Sequence, residues 1–198
     1  GPILIALDTS ASMRGSPETI AKAVVLAVMQ AAHAQQRACR LLAFGAAGEL
    51  IEHELALDAG GLAALLGLIA QSFDGGTDVQ APIERAIALV GQAQWAGADL
   101  LIASDGEFCC TPQALAALDA AKAEQGLRVH GLLLGDRETL GLMQVADRIH
   151  WVRDWRDAVP RADGRTAFSP VHSKSLTALF FPNAMDARAQ RHVVKQGG

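Results

Sequence analysis

No stretch of this sequence is apolar for long enough to cross a bilayer, which takes about 20 residues. The best run, AVVLAVM at 23–29, stops far short. Cysteine is scarce too: Cys39, Cys109 and Cys110 are odd in number and two of them are adjacent. That pattern fits neither a disulfide framework nor a zinc site, and it favours a reducing, cytoplasmic setting. No basic segment precedes an apolar one, so no secretion leader is visible. The chain begins almost on its first strand, as a fragment of a longer protein would. Positive charge is outweighed over most of the length. Residues 161–198 hold six Lys/Arg against two Asp, a net of +4, so residues 1–160 carry −8 of the total −4. An acidic body argues against nucleic acid as a ligand.

What is present suits one globular domain. The chain has 198 residues and 51% hydrophobic content, enough to bury roughly 70% of its unfolded surface. Strand-like runs alternate with helical ones. ILIAL (3–7), CRLLAF (39–44), ADLLIAS (98–104) and LRVHGLLLG (127–135) are apolar without alternation, as strands buried on both faces are. ELIEHELAL (49–57) alternates, as an exposed edge strand does, and RIHWVR (148–153) closes the series. Helices are expected from Ser16, with its hydroxyl as cap and Pro17 in the first turn, to about His33. Others are expected over 62–73, over VQAPIERAIALVGQA after Asp78, and over 111–125 and 137–147. The β-α-β order implies a doubly wound, mainly parallel α/β sheet with helices on both faces. Beyond Asp157 periodicity fades, which divides the chain into a domain at 1–157 and a tail at 158–198 of no assigned role.

In such a sheet, ligands bind at the carboxyl ends of the strands. Three loops there carry oxygen: Asp8-Thr9-Ser10-Ala11-Ser12, Gly75-Gly76-Thr77-Asp78 and Ala103-Ser104-Asp105-Gly106-Glu107. Together they offer hard donors suited to Mg²⁺, Ca²⁺ or Mn²⁺. Alternation would turn residues 8, 10 and 12 to one side, and the glycines would let the second loop's backbone come close. Read singly, each loop is an ordinary turn or cap. Thr77 or Asp78 would cap the helix that follows. Their order and placement after buried strands favour a shared site.

These residues resemble the von Willebrand factor A domain with its metal-ion-dependent adhesion site, whose pattern is D-x-S-x-S, then a threonine, then an aspartate. Here it falls on Asp8, Ser10, Ser12, Thr77 and Asp105, over a resemblance spanning about residues 2–155. Ala11 stands where that family usually has glycine. The family fold has one antiparallel edge strand, which ELIEHELAL would supply. GPILIALDTSASM, RLLAF, FDGGTDV, QWAGADLLIASD and DRIHWVRDW are further similar to the bacterial ViaA/CoxE-like branch, whose members work in the cytoplasm with MoxR-type AAA+ ATPases.

The resemblance implies that Ser10, Ser12 and Thr77 give hydroxyl oxygens to Mg²⁺, with Mn²⁺ or Ca²⁺ as substitutes. Asp8 and Asp105 would act mostly through bound waters, or one of them directly. A position left open on the ion would accept a carboxylate from a protein partner, making the domain a metal-gated docking module and not an enzyme. Two other classes compete: a metal-dependent phosphohydrolase-like enzyme, and a structural scaffold whose site is empty. A phosphatase using Asp8 as nucleophile needs a second acid two residues on, where Ser10 stands. A receiver-type phosphoacceptor needs a lysine that LLLGDRE does not offer. The histidines show no metal spacing, and most are expected at the surface or as caps. Cys109-Cys110 is expected as a packed pair, and Trp95, Trp151 and Trp155 as packing residues.

Overall fold

The apolar runs become strands: β1 (Ile3–Asp8), β2 (Cys39–Phe44), β3 (Leu50–Glu54), β4 (Asp99–Ser104), β5 (Arg128–Leu133) and β6 (Arg148–Trp151). They form one sheet ordered β3-β2-β1-β4-β5-β6, in a computed structural model that describes residues 1–56, 60, 61, 63, 67, 73, 75–135 and 139–152. All neighbours are parallel except β3, which runs antiparallel to β2 at the edge. The doubly wound α/β class expected from sequence is therefore the observed one. β3 is shorter than the alternating run suggested: its ladder with β2 spans Leu50 to Glu54, and the Leu55 amide adds one bond to the Cys39 carbonyl.

The central strands are apolar on both faces because both are covered. Ile3, Ile5 and Leu7 pack on one side with Leu41, Ala43, Leu101 and Ala103. Leu4 and Ala6 pack on the other with Leu42, Phe44, Leu100 and Ile102. The first face lies under α1 (Ser16–Ala34), which buries Ile20, Ala21, Val24, Val25, Val28, Met29 and Ala32. That recurrence at three and four residues is one apolar stripe of a helix. The second face is covered by α2 (Gln80–Val90), α3 (Pro112–Gln125) and α4 (Leu140–Val145).

Helix ends differ in part from expectation. Thr111 caps α3 by accepting from the Ala114 amide, and Gly126 ends it in the left-handed conformation, the usual chemistry of both ends. Ser16, expected as the cap of α1, is instead its first residue; Gly15 takes the cap position with no side-chain bond. Val79 takes that position on α2, where Thr77 or Asp78 was expected. Asp78 still serves the first turn, since its Oδ1 accepts from the Gln80 amide at 3.1 Å. Of the helix expected over 62–73, only Ala63, Gly67 and Phe73 are described. The first two are helical and Phe73 is not. Asp74, Trp155 and the tail at 158–198 lie outside the described residues, as do residues 136–138. Trp95 is buried as a packing residue, with the Arg40 guanidinium 4.8 Å above its ring. Among the described residues no helix is long and apolar enough to cross a membrane.

Candidate functional site

The sheet splits where β1 and β4 end. Their ladder stops at Leu7 opposite Ala103, while Asp8 continues beside Phe44 of β2 and Ser104 beside Leu133 of β5. Connections leave β1 toward β2 on one side and enter β4 on the other, so this is the point where the winding reverses. A doubly wound sheet opens its ligand crevice there.

Asp8 sits in that split with no solvent exposure. Its Oδ1 accepts from the Ser10 amide at 3.0 Å, and its Oδ2 accepts from the Ser104 hydroxyl at 2.5 Å. Burial pushes the Asp8 carboxyl above its usual range. The hydrogen bonds from Ser10 and Ser104 oppose that push, and the Asp105 charge adds to it. The effect of Asp105 places its carboxylate within electrostatic reach of Asp8. Among the described residues neither aspartate has an ion-pair partner. A carboxylate with no solvent exposure is costly to keep charged unless a cation compensates it, and a second negative charge nearby adds to that cost.

The hydroxyls come from a turn and not from an extended strand. Residues Ala11–Met13 form a short 3-10 helix, so strict alternation of 8, 10 and 12 does not hold. The turn nevertheless brings Ser10 Oγ and Ser12 Oγ to 3.1 Å from each other. Ser10 is buried and Ser12 exposed. Thr9 faces away, donating its hydroxyl to the Phe44 carbonyl at 3.0 Å.

The second loop is stitched to the first by backbone. The Ala11 amide donates to the Gly75 carbonyl at 3.2 Å, and the Phe73 amide to the Thr9 carbonyl at 3.0 Å. A Cβ on Gly75 would stand 2.6 Å from that of Ala46, so glycine there lets the loop's backbone pack against the turn between β2 and β3. Thr77, half-buried two residues on, makes no hydrogen bond to the other four residues among those described. The third loop follows Ser104. Asp105 Oδ1 accepts from the Glu107 amide at 3.0 Å, and its carbonyl accepts from the Thr139 hydroxyl at 3.1 Å.

Sequence reasoning placed Ser104 in the loop but gave it no role. Its hydroxyl donates to Asp8 and accepts from the Gly106 amide at 2.9 Å, tying the first loop to the third. The available signal was position: a small hydroxyl residue closing a buried strand, next to an aspartate.

The donor set is chemically narrow. No group of three or more His, Cys, Asp or Glu gathers among the described residues. A cation at this point would depend on hydroxyls and two carboxylates, which fits a hard ion and excludes a soft one. The thiols nearby do not alter that. Cys110 is pushed up to about 11 by burial, then by Cys109 and Asp78, so it stays protonated at neutral pH. Cys109 is exposed, against the expectation of a packed pair. His130 and His150 are not surface residues either; both are half-buried on the sheet, and burial lowers His150 to about 4.

Residues 3–107 match the family described as von Willebrand factor type A domain. The chain is 32% identical over 150 residues to the regulatory protein ViaA of Proteus mirabilis strain HI4320, and 31% identical over 150 residues to that of Edwardsiella ictaluri strain 93-146. Each match covers 75% of this chain and 30% of the relative, so the chain spans under a third of these proteins' length. A solved von Willebrand factor type A structure from Catenulispora acidiphila superposes with a TM-score of 0.57 at 19% identity. That match covers 79% of this chain and 39% of the other, a likeness of fold alone.

Proposed function

The chain belongs to the von Willebrand factor type A domain family, and from that premise we propose that it is a metal-dependent docking module. Ser10, Ser12 and Thr77 hold one divalent cation through hydroxyl oxygens, and Asp8 and Asp105 supply the negative charge. Mg²⁺ is the first choice, with Mn²⁺ or Ca²⁺ as substitutes. When bound, the ion supplies a positive centre with a coordination position that a partner's carboxylate can fill. The protein's part is to hold the oxygens and orient them. Ser104 fixes Asp8 through Oδ2, the Ser10 amide fixes Oδ1, and the Glu107 amide and Thr139 fix the Asp105 loop.

One observation carries this reading: Asp8 is fully buried at the switch point, raised by burial and by Asp105, and has no cationic partner among the described residues. A structural aspartate at 0% exposure would be expected to have one. The partner we propose is a MoxR-type AAA+ ATPase in the cytoplasm, with this domain as its cofactor or substrate adaptor. The relatives' name, regulatory protein, agrees with a role in controlling another protein. Phosphohydrolase chemistry finds less support. Ser10, where a general acid would be needed, is engaged with Ser12 and cannot serve as one.

Two measurements test the reading together. Calorimetry with Mg²⁺ should give one site, abolished in Asp105→Ala. An immobilised MoxR-type ATPase should retain the chain in Mg²⁺, release it in EDTA, and fail to retain a folded Thr77→Ala variant. Equal retention in every arm would remove the ion from the contact. Phosphoester turnover by the purified chain, lost in Asp8→Asn, would replace docking with catalysis.

A further inference from the structure

Large apolar side chains are exposed at three places among the described residues: Leu26 on α1, and Leu140 and Met143 on α4. Leu26 is marginal at 37%, but Leu140 and Met143 stand at 74% and 57%. They are three residues apart on one helix, so they share a face. The other face is committed to the core through Leu142 and Val145. Two open apolar side chains side by side ask for a cover.

Their position says where that cover comes from. Thr139, immediately before α4, donates its hydroxyl to the Asp105 carbonyl. The contact is an interlock and not a touch. A Cβ on Gly106 would lie 1.9 Å from Thr139 Oγ1, and one on Gly141 would lie 2.5 Å from the Gly106 carbonyl oxygen and 2.6 Å from that of Phe108. The start of α4 is thus seated directly on the loop that carries Asp105. Through this bond the Leu140 Cα stands no more than about 12 Å from that of Asp105.

We propose that Leu140 and Met143 form the second half of the partner site. The occupant is a protein segment that places a carboxylate at the cation and an apolar side chain across Leu140 and Met143. This rests on the docking reading above and specifies its partner. An extended chain covers about 3.3–3.6 Å per residue, so the acid and the apolar residue lie within about four positions of each other. The ion supplies attraction for the acid, which the −8 body would otherwise repel. The apolar pair supplies contact that distinguishes one acidic segment from another. Polar substitution of this pair leaves the interlock and the ion's ligands in place.

The experiment is selection of a random peptide library on the whole chain in Mg²⁺, followed by affinity measurements on the recovered peptides. The expected winners carry Asp or Glu with Leu, Met, Ile or Phe within four positions. Their binding should fall about tenfold or more in the Leu140→Ser/Met143→Ser double variant, with Mg²⁺ dependence kept. Winners with an acid and no apolar partner, bound equally well by the double variant, would overturn this inference and leave the docking reading standing. Peptides bound equally in EDTA and by Thr77→Ala would overturn the docking reading itself. A dimer in sedimentation that the double variant loses would make a second copy the occupant, and would also overturn the inference. Unchanged Mg²⁺ affinity and circular dichroism in the double variant guard against loss of fold.

Discussion

At its start β4 places Asp99, and just past its end Asp105 stands within reach of Asp8. Asp99 is surrounded by compensation: Arg37 pairs with Oδ2, Arg128 with Oδ1 at 2.7 Å, and His130 stands 3.8 Å away. Burial pushes its carboxyl up, but His130 and the two guanidiniums hold it below the usual range. At the far end of the neighbouring strand β1 burial wins, because only hydroxyls and an amide oppose it at Asp8 and the Asp105 charge adds to it. The first aspartate is finished by the fold and the second is not. Burial alone does not separate a structural carboxylate from a functional one; the charge of its neighbours does.

The largest effect should come from removing the compensated charge. Asp99→Ala leaves the mostly buried Arg37 guanidinium without its partner, while Arg128 stays solvated, and should cost about 3 kcal/mol in urea unfolding at pH 7, with or without Mg²⁺. Because the folded-state value is lowered, Asp99's contribution is present above the ordinary 3.8 and is lost as pH falls through the folded value. Parent and variant should therefore converge in acid. A gap that Mg²⁺ closes would erase the contrast between the two ends.

Next comes the uncompensated end, where the sign reverses. Mg²⁺ at a hundred times its dissociation constant should stabilise the parent by about 2.7 kcal/mol and Asp8→Asn hardly at all. In metal-free buffer Asp8→Asn should cost less than Asp99→Ala, because it removes a buried charge that nothing neutralises. A metal-free loss as large as that of Asp99→Ala would make Asp8 a structural residue.

The smallest effect sharpens the comparison. Ser104→Ala should cost about 1–2 kcal/mol for a buried hydrogen bond and weaken Mg²⁺ binding by about tenfold, as loss of a ligand-orienting partner does. Calorimetry on the folded variant reads the second number. Unchanged Mg²⁺ affinity would reduce Ser104 to a spacer.

Much of this was legible in the residues. The buried strands announce themselves because a strand covered on both faces has no polar side to show, and ILIAL, CRLLAF and DLLIAS have none. The five candidate ligands were legible as an ordered pattern after strand ends, and three of them, Asp8, Ser10 and Ser12, are joined by direct bonds in the fold. What escaped depends on the third dimension. Ser10 and Ser12 meet through a 3-10 turn that no periodicity records. Ser104 gains its role only because β1 lies beside β4. Within LGLMQV, Leu140 and Leu142 are the same amino acid, and only packing decides that one is open and the other buried.

The pairing of Asp8 with Ser104 joins residues 96 apart in the chain, and that distance sets when the site can exist. At the pace of translation, about 5–20 residues per second, β4 follows β1 after about 5–20 s. Until then the D-x-S-x-S stretch is an ordinary acidic segment with half its oxygens elsewhere. Parallel pairing of such distant strands is also slow. The site therefore reports completion: it is assembled only in a chain whose central sheet has closed. A chain truncated anywhere between β1 and β4 would keep Asp8, Ser10 and Ser12 but lack Ser104, whose hydroxyl fixes Asp8, and Asp105.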